Sequence, residues 1–174
     1  MAKKKLEFKT EWFRVESESV NHIKSYGGKP FYRFVMPSGV MILALREDGK
    51  ILLIKQYRLS VESNTLELPC GQIDKNESPR KAAIRELYEE TGYVCKKVNF
   101  LGVGNPWMDR AKSKLYLFYG QGAVRKKGFK PKENIQVVPV SAEEFKFLAI
   151  NGDLQQLQCF ATIFLAKWKF GLEI

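Results

Sequence analysis

Residues 71–93 read Gly71-Gln-Ile-Asp-Lys-Asn-Glu77-Ser78-Pro79-Arg-Lys-Ala-Ala-Ile-Arg85-Glu86-Leu87-Tyr88-Glu89-Glu90-Thr91-Gly92-Tyr93. Ser78 followed by Pro79 supplies a capping hydroxyl and then proline at the first helical position, while Gly92 supplies a terminating residue. The stretch therefore predicts a helix over Pro79–Thr91. At 100° per residue, Glu86, Glu89 and Glu90 fall within an arc of about 100°, and Ala83, Ile84, Leu87, Tyr88 and Thr91 occupy another. One face is expected to be buried and another to present carboxylates. Ala82, one turn before Glu86, leaves room for a ligand in the acidic stripe. Three carboxylates this close repel one another by a few tenths of a kcal/mol per pair unless a cation sits among them. Oxygen-only ligands select hard cations such as Mg²⁺, which completes its shell with water and phosphate oxygens. Arg85, one turn before Glu89, is placed to pair with it and keep it ionised.

Working outward, Val40–Leu45 and Ile51–Ile54 flank Arg46-Glu47-Asp48-Gly49-Lys50, where Asp-Gly marks a hairpin. Thr65–Pro69 reads as a short strand leading into the loop before the helix. Val98–Val103, Leu115–Tyr119 and Ile135–Val140 read as further strands. Ser141-Ala142-Glu143-Glu144 opens a capped helix, and Asp153–Phe170 reads as a final amphipathic helix. Before all of these, Trp12–Val15 and Phe31–Val35, separated by Tyr26-Gly27-Gly28-Lys29-Pro30, predict a small N-terminal sheet. The resulting fold class is α+β, with a mixed central sheet between helices. The division expected is an N-terminal β region over 1–38 and a main domain over 39–174.

The 174 residues suit one catalytic domain. No apolar run nears the ~20 residues that span a bilayer, and the basic N-terminus has no apolar stretch behind it, so cytoplasmic residence without a membrane is expected. Cys70, Cys95 and Cys159 are odd in number and never in a CxxC pair, which argues against a disulfide framework and a thiolate zinc site. The single histidine, His22, lies far from any nucleophile signal and is read as a surface or packing residue. The balance of 29 Lys and Arg against 19 Asp and Glu gives a net charge of +10, concentrated in Lys3–Lys5, Lys96-Lys97 and Arg125–Lys132. Such a field attracts polyanions, nucleotides or nucleic acid, although simple solvation accounts for most lysine runs.

The spacing Gly71, five residues, Glu77, seven residues, Arg85-Glu86-Leu87-x-Glu89-Glu90-x-Gly92 resembles the Nudix box at every fixed position, with Tyr93 where that family usually has an aliphatic residue. The chain is similar to the Nudix hydrolases over roughly residues 12–170. The resemblance implies an α/β/α sandwich and cleavage of a nucleoside diphosphate linked to another group, with Mg²⁺ or Mn²⁺. It also implies metal ligation by Glu86, Glu90 and Glu89, the last as ligand or general base, with the Cys70 carbonyl as a further ligand. Glu77 holds the loop against Arg85 in that reading, and Arg85 belongs to the catalytic set.

Lys55-Gln56-Tyr57-Arg58 and Leu66-Glu67-Leu68-Pro69-Cys70-Gly71 resemble segments of the ADP-ribose and nucleotide-sugar pyrophosphatases, Cys70 standing for alanine. Arg58 and Glu67 are then substrate-binding residues, and the planar fork of Arg58 suits phosphate. Glu133-Asn134-Ile135 resembles the loop whose glutamate enters the metal site, which makes Glu133 a further ligand and catalytic residue. Trp107, in Asn105-Pro106-Trp107, is read either as a residue that stacks on a base or as a packed tryptophan. ADP-ribose, split to AMP and ribose 5-phosphate, leads among the implied substrates. RNA 5′ ends and dinucleoside polyphosphates are the alternative that the positive charge favours. A non-catalytic binding module is expected to lose box carboxylates, and this chain keeps Glu77, Glu86, Glu89 and Glu90. The N-terminal strands match a region that relatives exchange with a second subunit, which implies a homodimer.

Overall fold

Gly49 closes the hairpin between β4 (Gly39–Arg46) and β5 (Ile51–Arg58), at a φ of 79° that glycine adopts without a Cβ penalty, with Arg46 N–H donating to Lys50 O at 2.9 Å. The computed structural model describes residues 4–130 and 134–173. Their contacts divide into two units: residues up to Ser38 together with Gly104–Leu115, and Gly39–Val103 together with Tyr116 onward.

In the larger unit, β5 carries β6 (Ser63–Glu67) and β4 carries β7 (Cys70–Gln72), both antiparallel. After α1 (Pro79–Thr91) come β8 (Tyr93–Gly104), β10 (Leu115–Arg125), β11 (Ile135–Val140), α2 (Ala142–Ile150) and α3 (Leu157–Phe170). The sheet runs β11-β5-β4-β10-β8. β4 is apolar at consecutive positions because both of its faces are covered. Val40, Ile42 and Ala44 pack with Ala82, Ala83 and Leu87 of α1, while Met41 meets Thr162 of α3, whose hydroxyl lies 3.3 Å from its sulfur. This is the α/β/α layering that the sequence implies. Leu87 is fully buried, so truncation to alanine costs about 2–5 kcal/mol.

The expected α1 bounds hold, with the Ser78 hydroxyl accepting from Lys81 N–H and Gly92 left-handed at φ 75°. At α2, Ser141 and Glu144 form a reciprocal capping box. α3 begins four residues later than Asp153 suggests. Asp153 N–H donates to Leu148 O, Leu154 is buried in an irregular segment, and Gln156 takes the cap position. Beside it, α2 and α3 leave an apolar groove of about 700 Å³ lined by Phe145, Ile150, Phe160 and Phe164, with Phe147 and Trp168 exposed nearby. Among the described residues no helix is long and apolar enough to cross a membrane.

The smaller unit holds a sheet ordered β1 (Lys4–Lys9), β2 (Arg14–Glu18), β3 (Phe31–Val35), β9 (Ala111–Lys112), the last pair parallel. The strand expected over Trp12–Val15 starts at Arg14, because Thr10 Oγ1 accepts from Trp12 and Phe13 N–H and turns the chain there. His22 is exposed in the following turn.

Candidate active site

The acidic stripe of α1 faces inward. Glu86 and Glu90 are only 8% and 6% exposed, and Glu89 is half-buried. The expectation of a carboxylate face apart from the buried one is corrected here: periodicity fixes the angle between side chains but not the depth of each. The stripe runs along β7, which lies under it. Ala82 likewise is fully buried among core residues and does not border open space.

Gly71 shows why β7 approaches so closely. Its φ lies outside the left-handed region, and it sits in a strand opposite Val40. A Cβ on it would stand 2.1 Å from the carboxylate carbon of Glu86. The bare Cα is the seat of that carboxylate. One residue earlier, Cys70 N–H donates to Glu90 Oε2 at 3.0 Å, a charge-assisted bond that ties the other buried carboxylate to the same strand.

Arg85 organises the near side. Its Nε and a terminal nitrogen donate to both oxygens of Glu77 at 3.0 and 2.9 Å, and the same terminal nitrogen donates to Gln72 O at 2.8 Å. Its other terminal nitrogen donates to Glu86 at 2.7 Å and stands 3.5 Å from Glu89. The pairings expected for Arg85 with Glu77 and Glu89 are both present, but Glu86 is a closer partner than Glu89. The Arg85 guanidinium holds the Glu77 carboxyl below its usual value, and Arg85 keeps its own proton correspondingly tightly.

On the other side of Cys70, Glu67 is 3% exposed and takes the Arg58 fork bidentately at 2.7 and 2.6 Å. Thr65 Oγ1 donates to it at 2.6 Å and Gln56 Nε2 at 3.5 Å. Burial pushes the Glu67 carboxyl up, but the Arg58 guanidinium and Thr65 hydroxyl together outweigh it and leave the group below its ordinary value. Glu67 thus spends its acceptors on protein donors and aims Arg58, whose side chain is 41% exposed beside a cavity of about 330 Å³. The Cys70 thiol, 3.8 Å from Glu67, is pushed far up by burial and by the neighbouring carboxylates, so it stays neutral between them. A continuous polar line runs Arg58, Glu67, Cys70, Glu90.

Sequence reasoning missed Thr65 and Gln56 as supports of Glu67. Their alternation with Arg58 and Glu67 on paired strands, Gln56 opposite Thr65, is the signal that finds them. Trp107 belongs to the smaller unit, where it stacks on Phe34 at 5.3 Å and remains about half exposed. Glu133 lies outside the described residues.

The donor set suits a hard cation. It offers oxygens alone, on one stripe, with a glycine cradle opposite Glu86 that a methyl group would fill. In this side-chain arrangement no three His, Cys, Asp or Glu among the described residues gather at one point. Arg85 draws Glu86, and the Cys70 amide draws Glu90.

Comparison with known proteins gives the same picture. The NUDIX domain model matches residues 35–158. The "Methanol dehydrogenase activator" of Bacillus methanolicus is 29% identical over 136 residues, covering 75% of this chain and 74% of that protein. The "ADP-ribose pyrophosphatase" of Bacillus subtilis (strain 168) is 40% identical over 81 residues, 45% of this chain and 44% of that protein, so the chain spans less than half of its length. The fold is shared with a solved structure described as "Crystal structure of ADP compounds hydrolase", at a TM-score of 0.78 and 24% identity, covering 98% of this chain and 94% of the other. A family model that spans more than half of the sequence, and takes in the helix whose carboxylates line β7, settles the kinship: the chain belongs to the NUDIX domain family.

Proposed function

We propose that the substrate of this Nudix pyrophosphohydrolase is a nucleoside diphosphate-linked sugar, ADP-ribose first, hydrolysed to AMP and ribose 5-phosphate. The observation that carries this reading is the Arg58 fork. It is exposed, fixed bidentately by buried Glu67, and connected through Cys70 to the acidic stripe. A guanidinium held this way presents its remaining donors to phosphate or a sugar hydroxyl with little entropy left to lose.

Glu86, Glu89 and Glu90, with the Cys70 carbonyl and Glu133, would hold Mg²⁺ or Mn²⁺. Such an ion supplies Lewis acidity toward the diphosphate oxygens and toward water. The protein's own part is positional and basic. Arg85 fixes Glu86 and Glu89, and Glu89 or Glu133 takes the proton of the water that attacks phosphorus. The anhydride P–O bond breaks, and the departing phosphate leaves toward Arg58.

The reading extends to a homodimer built through the N-terminal strands. It is supported by β1, which is exposed along its whole length with Leu6 and Phe8 uncovered at a sheet edge. Light scattering after gel filtration tests the dimer, and a monomer at high concentration would remove it.

The activity is tested by a hydrolysis screen over ADP-ribose, other nucleotide sugars, dinucleoside polyphosphates and capped RNA, with and without chelator. ADP-ribose cleavage that chelator abolishes, and that Glu86→Gln and Glu90→Gln each lower by orders of magnitude, is expected. Faster turnover of capped RNA overturns the substrate class, and chelator-insensitive turnover overturns the metal.

A further inference from the structure

Three basic segments far apart in sequence meet at one end of the larger sheet. Strand order places β4, β10 and β8 side by side, and there β4 ends at Arg46, β10 ends at Arg125 and β8 begins at Tyr93. The Arg46 guanidinium lies 5.9 Å from the Tyr93 ring centroid. Lys126 N–H donates to Gly92 O at 2.9 Å, which pins the run Arg125–Lys130 beside the start of β8. The stem of Lys96 lies against Gly122 of β10. The two lysine-rich runs that the sequence separates by almost thirty positions thus form one surface.

Among the described residues, the acids of the β4–β5 turn at this end are already engaged: Asp48 pairs with Arg46 at 2.7 Å, and Glu47 pairs with Lys96. Arg125, Lys126, Lys127 and Lys130 are exposed and, among the described residues, have no ion-pair partner. Phe129 packs over Gly92 in edge-to-face contact with Tyr88 at 5.6 Å, and Tyr88 is 39% exposed. Cations flanking aromatic rings are the combination that holds a phosphodiester backbone and stacks its bases. A membrane-binding face would join lysines to exposed aliphatic side chains, and among the described residues these three segments expose none.

We infer that this end of the molecule binds single-stranded nucleic acid, through Arg125, Lys126, Lys127 and Lys130 with the Tyr88–Phe129 pair. The inference stands whether or not ADP-ribose is the substrate. Four cations on a single strand give a logarithmic salt slope of about −2.8, so affinity falls roughly 50-fold between about 50 and 200 mM salt.

The test is fluorescence anisotropy of the full chain with a labelled RNA of about 12 nucleotides. The expected result is binding at low salt with that slope. In the Lys126→Glu, Lys127→Glu double variant, binding should weaken tenfold or more, with hydrolysis and melting temperature unchanged. No binding at about 50 mM salt, equal affinity in the variant, or capture of phosphatidylserine vesicles without the oligonucleotide would each overturn the inference.

Discussion

One methyl group at Gly71 tests the site more sharply than removal of any carboxylate. In Gly71→Ala the new Cβ would stand 2.1 Å from Cδ of Glu86 and 2.2 and 2.4 Å from its oxygens. Ordinary contact lies near 3.6 Å, so the carboxylate must retreat by about 1.5 Å. That displacement breaks its 2.7 Å bond to Arg85 or drags Arg85 off Glu77. Because the yielding atoms are the far end of a flexible side chain, the fold should lose only about 1–2 kcal/mol. A catalytic group misplaced by an ångström, by contrast, costs about 10²-fold in rate. Gly71→Ala should therefore unfold in urea at a slightly lower midpoint while kcat drops about a hundredfold. Combining it with Glu86→Ala removes the atoms in the way, so the stability penalty of the methyl should largely vanish in the double variant, a coupling of about 1 kcal/mol. Wild-type kcat in Gly71→Ala would refute the seat assigned to Glu86. A penalty that persists in the double variant would show that the strand itself rejects the methyl.

Two other outcomes follow from the Arg58–Glu67 clamp. Arg58→Lys cannot donate two parallel bonds, so buried Glu67 is left short of a partner. Stability should fall by about 1–3 kcal/mol and kcat/KM at least tenfold, chiefly through KM; steady-state kinetics that match wild type would show that the fork is not used. Folding lowers the Glu67 carboxyl below its ordinary 4.5, so the unfolded chain binds the proton first as pH falls. The stability it contributes is complete above about 4.5 and is lost as pH drops through the folded value. Urea midpoints followed from about pH 7 to about pH 3 should fall less steeply in Glu67→Gln than in wild type, and equal slopes would contradict the assignment.

Much of the fold was legible because its punctuation is local. Ser78-Pro79 and Gly92 bound α1, Asp48-Gly49 makes the hairpin, and Ser141 with Glu144 forms its box, each through bonds that span only a few residues. Strand β1 was not read although Leu6 and Phe8 alternate with Lys5, Glu7 and Lys9: the alternation holds only two apolar residues, and both stay exposed in the fold. β9 is two residues long, and its partner Phe34 lies more than seventy positions away. At the site, residue identities and their stripe could be read from spacing. The burial of Glu86 and Glu90 could not, since it depends on β7 lying beneath them. The role of Glu67 as the anchor of Arg58 needed the register of β5 on β6, which places Thr65 opposite Gln56.

The groove between α2 and α3, with Phe147, Ile150, Phe164 and Trp168 uncovered, has a consequence at the bench. Fluorescent dyes such as ANS, which brighten on apolar surface, should light up on the fully native protein and mimic the signature of a loosened globule. A high cold baseline in a dye-monitored melt would then report this pair of helices, and circular dichroism is the sounder readout of every variant above.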